Sequence, residues 1–292
     1  MKKVVLILVA ASCMQYAVGQ KPNSKFGGVQ IGAITYSYQS MSDQSLDAVL
    51  GYVLQSGINS VELLGVTVEN YAGIPKDRDE ARQWRTSVSM DKFKEIRKIF
   101  QKNGINIHIL NCYDLPVWTD EEIDYAFNVC KALGAKGITM EISEEAAKRL
   151  APFTDKHKLC VLFHNHGQPG NPDFSFDRAL AYGQRLMLNF DAGHYYGATG
   201  QNPCEVIRRL NKRIFSVHLK DKTGPQDTPG DTNVSFGDGK TPLVEMLQLI
   251  RKEKWPIYCD IELEYSIPQD SDAVKEVIKC VNYCKVALEE KK

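Results

Sequence analysis

The sequence predicts a single-domain α/β protein folded as a closed (β/α)₈ barrel. Two observations carry this. Eight short runs rich in Val and Ile alternate with eight longer stretches of helical period from about residue 28 to the end, the pattern of repeated βαβ units. Eight such units in roughly 250 residues is the arithmetic of a closed barrel. A doubly wound open sheet is the competing architecture. It places a glycine-rich turn after its first strand, and Ile31-Gly32-Ala33-Ile34-Thr35 has no G-x-G-x-x-G.

The strands are expected at Val29–Ser37, Ser60–Leu64, Ile105–Asn111, Gly137–Ile142, Leu159–His164, Leu186–Phe190, Ile214–Leu219 and Ile257–Leu263. The helices between and after them are expected at Ser45–Gln55, Met90–Lys102, Asp120–Leu133, Glu144–His157, Phe176–Tyr182, Cys204–Leu210, Pro242–Arg251 and Asp272–Leu288. Ser89 and Asp120 stand before apolar-periodic runs as capping residues, and Gly57, Gly104 and Gly134 follow helices where a left-handed cap is wanted. Two connections, Gly65–Val88 and Asp221–Thr241, are long. Both follow strands, so both lie on the face where barrels build active sites.

The N-terminus is of another kind. Met1-Lys2-Lys3, the apolar stretch Val4 to Ala11 and the small residues Ala17-Val18-Gly19 before Gln20 read as a secretory signal peptide over residues 1–19, leaving a barrel domain over 20–292. This implies an exported, periplasmic protein with no transmembrane helix in the mature chain. Ala10-Ala11-Ser12-Cys13 also resembles a lipoprotein box, which makes a lipid anchor on Cys13 the alternative. The seven other cysteines lack the spacing of a disulfide framework or a zinc site, and most read as small buried residues. Lys+Arg and Asp+Glu both number 36, so no basic excess points to nucleic acid or a membrane surface. A homo-oligomer is compatible with the sequence.

The polar residues cluster at the C-terminal ends of the expected strands. Strand two ends near Glu62, strand three at Asn111, strand four near Glu141, and strand five in His164-Asn165-His166. Strand six runs into Asp191-Ala192-Gly193-His194, strand seven into His218-Leu219-Lys220-Asp221, and strand eight into Glu262-Leu263-Glu264. Four of the chain's 6 histidines fall at three of these ends. Side chains alternate along a strand, so His164 and His166 share a face, as do His218 and Lys220, and Glu262 and Glu264. Imidazoles with carboxylates suit Mn²⁺, Zn²⁺, Co²⁺ or Fe²⁺; an ion would also relieve the repulsion among the carboxylates. Trp84, Arg85, Tyr113 and Trp118 lie in or near loops of the same face, where an aromatic ring can stack on a sugar or anchor a loop.

Phe190-Asp191-Ala192-Gly193-His194, Val217-His218-Leu219-Lys220-Asp221, Gly237-Asp238-Gly239 before a helix, and Ile261-Glu262 resemble motifs of the xylose isomerase-like TIM barrels. That family includes sugar isomerases, ketose epimerases, inosose-processing enzymes and endonucleases of the endonuclease IV type. In its epimerase branch the metal is held by Glu, Asp, His and Glu on strands five to eight. Asp191, His218 and Glu262 match the last three; His164-Asn165-His166 stands where the Glu is expected. This variant resembles an exported branch, some of it linked to 3-keto-glycosides, in which Glu141 replaces that carboxylate.

The resemblance implies a divalent ion (Mn, Zn or Co) held by Glu141, His166, Asp191, His218 and Glu262, with His164 as the alternative to His166. Glu262 or His164 is the base, Lys220 serves the developing oxyanion, takes a sugar hydroxyl or forms a salt bridge to a rim carboxylate, and Glu62, Asn111, His194 and Glu264 contact substrate. The implied function is an isomerase or epimerase acting by proton abstraction next to the carbonyl of a free keto-sugar or 3-keto-glycoside. A lyase or dehydratase acting by β-elimination and a sugar-binding barrel without chemistry are the alternatives. An endonuclease fits the zero net charge poorly.

Overall fold

In the computed structural model, residues 21–289 are described; the segment expected to direct export and Cys13 lie outside the described residues. Eight parallel strands form the barrel: β1 (Val29–Ile34), β2 (Ser60–Leu64), β3 (Asn106–Asn111), β4 (Gly137–Glu141), β5 (Cys160–His164), β6 (Leu186–Asp191), β7 (Ile214–Leu219) and β8 (Tyr258–Ile261). Each pairs with its neighbour in sequence, and β8 pairs with β1 (Cys259 opposite Ile31), which closes the ring. All eight expected strands are present, with ends that differ by a few residues. The largest difference is at β1, where Thr35–Tyr38 turn into a 3₁₀ helix.

Outward-pointing residues of the strands, among them Val61, Leu63, Phe163, Phe190, Val217 and Leu219, are buried with the apolar faces of the helices in one core. Each large side chain so buried contributes about 1.5–3 kcal/mol. The helices are α1 (Leu46–Gln55), α2 (Gly65–Ala72), α3 (Arg78–Ser87), α4 (Asp91–Lys102), α5 (Asp120–Leu133), α6 (Glu144–His157), α7 (Phe176–Leu180), α8 (Ala192–Thr199), α9 (Pro203–Leu210), α10 (Leu243–Glu253) and α11 (Ala273–Glu289). Gly57, Gly104 and Gly134 do adopt the left-handed conformation after α1, α4 and α5. The N-caps shift: α5 is capped by Thr119 in a capping box with Glu122, and α4 follows Met90. None of the helices among the described residues is long and apolar enough to cross a membrane. The cysteines of the described residues are free, and five of the seven are buried.

The long segment after β2 is not a loop. It holds α2 and α3, and α3 buries little beyond Ala81, so no apolar periodicity announces it. The segment after β7 is a loop wrapped on one carboxylate. Asp221 accepts hydrogen bonds from the backbone N–H groups of Gly237 (2.8 Å), Gly239 (3.1 Å) and Thr241 (3.1 Å). A Cβ on Gly239 would collide with Asp221 Oδ1, which gives the Gly-Asp-Gly motif a structural reason.

Inside the barrel the residues are polar. Ser60, Glu62, His108, Asn111, Thr139, Asn189, Ser216, His218 and Asp260 are all buried, where barrel interiors are ordinarily filled by Val, Ile and Leu. At the bottom, His108 bridges Ser60 Oγ (2.9 Å) and Asp260 Oδ2 (2.9 Å), and the ring of Tyr258 stacks on it at 4.2 Å. Gly32 leaves the space that Asp260 Oδ1 occupies.

Gly32→Ala is expected to cost about 1–3 kcal/mol by overpacking. Its Cβ would meet Asp260 Oδ1 and lie 2.8 Å from the Ser60 carbonyl. Gly51→Ala, inside α1 with nothing nearer than 3.9 Å, is expected to stabilise by about 0.4–1 kcal/mol. Urea denaturation of the two variants checks both signs.

Candidate active site

The polar column ends at the mouth in four buried residues, His164 of β5, Asp191 of β6, His218 of β7 and Glu262 just past β8, each offering a donor atom within 4.8 Å of the others. Their aim is set from below. Glu62 of β2, with no exposed surface, accepts from Asn111 Nδ2 (2.8 Å) and Asn189 Nδ2 (2.7 Å) and meets His218 Nε2 at 2.9 Å. The strand register shifts at Val61/Glu62 and at Leu188/Asn189. These irregularities sit at two residues that must meet across the barrel, as bulges beside active sites commonly re-aim side chains. His218 Nδ1 faces Glu262 Oε2 at 2.8 Å. Both ring nitrogens thus face carboxylate oxygens; loss of the Nδ1 proton would make that atom available to a metal while Nε2 still donates to Glu62.

Asp191 is held twice. The side-chain amide of Asn165 pairs with the Asp191 peptide, donating to its carbonyl (3.0 Å) and accepting from its N–H (3.1 Å). Asp191 Oδ1 accepts from His194 N at 2.6 Å and caps α8. Both ring nitrogens of His164 are buried with no hydrogen-bond partner, and Oδ2 of Asp191 has only the Lys220 ammonium, at 3.2 Å and outside hydrogen-bond geometry. The nearest groups to His164 Nε2 are Asp191 Oδ2 (3.4 Å) and Glu262 Oε2 (3.6 Å). Bare buried donors are costly unless something fills the space between them. Two carboxylates and two imidazoles converging in this way fit a divalent ion, whose ligands sit at about 2.0–2.2 Å for zinc.

A second tier rims this group. The Lys220 ammonium is buried between Glu264 Oε2 (2.6 Å), Glu262 Oε2 (3.0 Å) and Asp191 Oδ2 (3.2 Å), and meets His194 Nε2 at 2.8 Å. Glu141 and His166, expected on the metal, are instead paired with each other (Oε2 to Nδ1, 2.6 Å) at the half-exposed rim, and Gln168 donates to the other oxygen of Glu141. Glu141, His164 and His166 also form a second group whose donor atoms lie within 4.8 Å of one another and could hold an ion. Of the residues expected on substrate, Asn111 and Glu264 line the mouth, a cavity of about 210 Å³ with Tyr36, Tyr113, His166 and Glu262 in its wall. His194 contacts Lys220 and Lys222 (3.2 Å), whereas Glu62 lies beneath the site with both oxygens engaged.

Electrostatics follow the contacts. Burial would raise Glu262, but Lys220 and His218 hold it well below the ordinary carboxylate range. Burial opposes the charged form of His218, yet Glu262 and Glu62 push it well above an ordinary histidine. Asp191 is likewise lowered against burial, by Lys220 and His194. Asn189 and Asn165 stand among the polar strand ends of the sequence but without a role read for them there, and Gln168 does not stand out at all. Asn189 lies two residues before Asp191 on the same strand, so strand alternation could have found it; Asn165 and Gln168 give no such signal.

The family model for xylose isomerase-like TIM barrels matches residues 51–284, and the chain belongs to this family. Among solved structures it is similar to a sugar phosphate isomerase/epimerase from Parabacteroides distasonis (17% identity, 90% of this chain and 96% of that one, TM-score 0.61). It is similar to the probable 3-DHS dehydratase AsbF of Bacillus anthracis (15%, 87% and 99%, 0.62). A third is the 3-keto-D-glucoside 4-epimerase YcjR of E. coli (12%, 88% and 100%, 0.61). At these identities the likeness is one of fold. No curated protein matches the sequence.

One pH dependence follows for the metal-free protein. Against burial, His194 and Lys220 lower Glu264 from 4.5 to about 2. Its contribution to stability is therefore complete above the unfolded value and is lost as pH falls towards the folded one. The thermal midpoint is expected to drop between about pH 5 and about pH 2, with a smaller drop in Glu264→Gln, followed by circular dichroism.

Proposed function

We propose that the chain is a divalent-metal enzyme that moves a proton next to the carbonyl of a sugar, a free keto-sugar or 3-keto-glycoside, with epimerisation or isomerisation as the outcome. The observation that carries this is the convergence of four buried donor residues, in which both ring nitrogens of His164 have no hydrogen-bond partner and the donor atoms of Asp191, His218 and Glu262 lie within 4.8 Å of one another and of His164. These four residues would hold the ion, which when bound polarises a substrate carbonyl.

The rest falls to the side chains of the mouth. His166 lines the cavity and its Nδ1 is fixed on Glu141, so its other nitrogen is presented to the mouth as a carboxylate-oriented base. It takes the α-proton, the C–H electron pair moves into the carbonyl, and negative charge gathers on oxygen near the Lys220 ammonium. Return of the proton to the opposite face gives the epimer, and return to the neighbouring carbon gives the isomer. Departure of a β-substituent would give elimination, the lyase alternative. The epimerase and dehydratase names among the structural neighbours support this range of outcomes. Export, expected from residues 1–19, favours an unphosphorylated sugar.

The experiment is NMR in D₂O with a 3-keto-glucoside and Mn²⁺. The expected result is solvent deuterium at the carbon beside the carbonyl, abolished by chelation. His166→Ala is expected to slow exchange by about 10²–10⁴-fold while metal binding persists. Exchange that survives chelation would sink the metal reading, and tight sugar binding without exchange would favour a binding barrel.

Glu62→Gln removes the carboxylate that orients His218. It is expected to weaken Mn²⁺ binding by about 10–100-fold with circular dichroism unchanged, measured by equilibrium dialysis. Unaltered affinity would show that Glu62 does not position the ligand.

A further inference from the structure

Beside the mouth lies a second cavity of about 310 Å³, over the ends of β2 and β3 and walled by α2, α3 and α5. Leu64, Asn111 and Tyr113 belong to both cavities, so the two share a wall. The second cavity shares Val66, Glu69, Arg85, Asp114 and Trp118 with a third, outer cavity, which places three spaces in a row from the mouth to the surface.

We infer that the second cavity is the subsite for a neutral, apolar aglycone, an aromatic ring system attached to the sugar in the mouth; this rests on the reading of the mouth as a keto-sugar site. Three properties define the class of ligand. The first is polarity. The wall is largely apolar, with Val66, Leu110, Tyr113, Trp118, Tyr125 and Val129 among its residues. Of the six large hydrophobic residues exposed among those described, Val66, Tyr113 and Val117 line this row of cavities. Apolar side chains gathered on an open rim mark a binding surface.

The second is charge. Arg85 is the one cation in the wall of the second cavity, and it is already spent. Its Nε and Nη2 donate to Glu69 (2.8 and 3.1 Å) and its Nη1 to Glu122 (3.1 Å). With Asp114 also in the wall, the balance is negative, so a phosphate or carboxylate on the ligand would be repelled. The third is shape. Three aromatic side chains, Tyr113, Trp118 and Tyr125, line the cavity, with the Arg85 guanidinium covering one face of Trp118 at 4.1 Å, a lining that suits a planar group. A cavity of about 150 Å³ takes benzene, which leaves room here for two fused rings.

The test measures binding of unoxidised glucosides, which do not react, by isothermal titration with Mn²⁺ present. Methyl, phenyl and naphthyl glucosides and a sugar 6-phosphate are compared. The expected order is naphthyl over phenyl over methyl, with a naphthyl-to-methyl ratio on the order of tenfold or more and the phosphate weakest. Ala126→Trp, which fills the cavity, and Val66→Glu, on the exposed rim, should each collapse that ratio. The rim variant keeps the test open where the buried one does not fold.

Equal affinity for methyl and naphthyl glucosides, or a preference untouched by Val66→Glu, overturns the inference. So does a dimer that Val66→Glu disperses while no aryl preference exists, since the occupant is then a second copy. Aryl preference without proton exchange on keto-sugars leaves the subsite standing and removes only the proposed chemistry.

Discussion

A carboxylate in the middle of a barrel has no water to turn to, and the structure is organised around answering it. Glu62 has no exposed surface, and an unpaired charge there would cost several kcal/mol. It is answered by Asn111 of β3, Asn189 of β6 and His218 of β7. Three strands are thereby fixed in rotation and height relative to β2. The constraint propagates upward: Asn189 is held in turn by Ser216 and Thr139, and His218 turns Nδ1 to Glu262. The donor group at the mouth is thus positioned by a network anchored on one buried charge, and the two register shifts lie where the network demands them.

The arrangement separates stability from function. Apolar burial lies between the outer face of the barrel and the helices, while the interior is hydrogen-bonded throughout its depth, from the Ser60–His108–Asp260 chain to Lys220. Replacing buried polar pairs by apolar residues is often neutral or stabilising in proteins, so this interior is retained for position. The atoms left without partners mark the exception. Both ring nitrogens of His164 lack a partner at the level where a ligand would enter, and Asp260 Oδ1 lacks one at the bottom of the column.

Much of this was readable in the chain. The strands were legible because short Val/Ile runs stop at Gly or at charged residues, and period-two alternation placed His218 with Lys220 and Glu262 with Glu264 on the inner face. Helix α3 was not legible because Arg78–Ser87 buries one side chain, and α8 was hidden because Gly193 and Gly197 weaken any helical signal. Gly193 is there for another reason: a Cβ would lie 2.5 Å from the Lys220 carbonyl. The pairing of Glu141 with His166 could not be read either. It depends on the stagger between neighbouring strands, which places Glu141 opposite His164, so that His166, two residues further, stands above both.

That stagger gives the three residues after Phe163 three separate tasks. His164 points down into the donor group, Asn165 turns aside to clamp the Asp191 peptide, and His166 reaches the rim and its carboxylate. The charge balance follows from the first of these. With imidazole rather than carboxylate on strand five, the four converging residues contribute two negative charges and two neutral rings in their metal-binding forms. Those two charges match a divalent ion, and Lys220 with Glu264 forms a balanced pair beside it. Glu141 stands one tier out, paired with His166 rather than with the four converging residues, so the carboxylates among those four remain two.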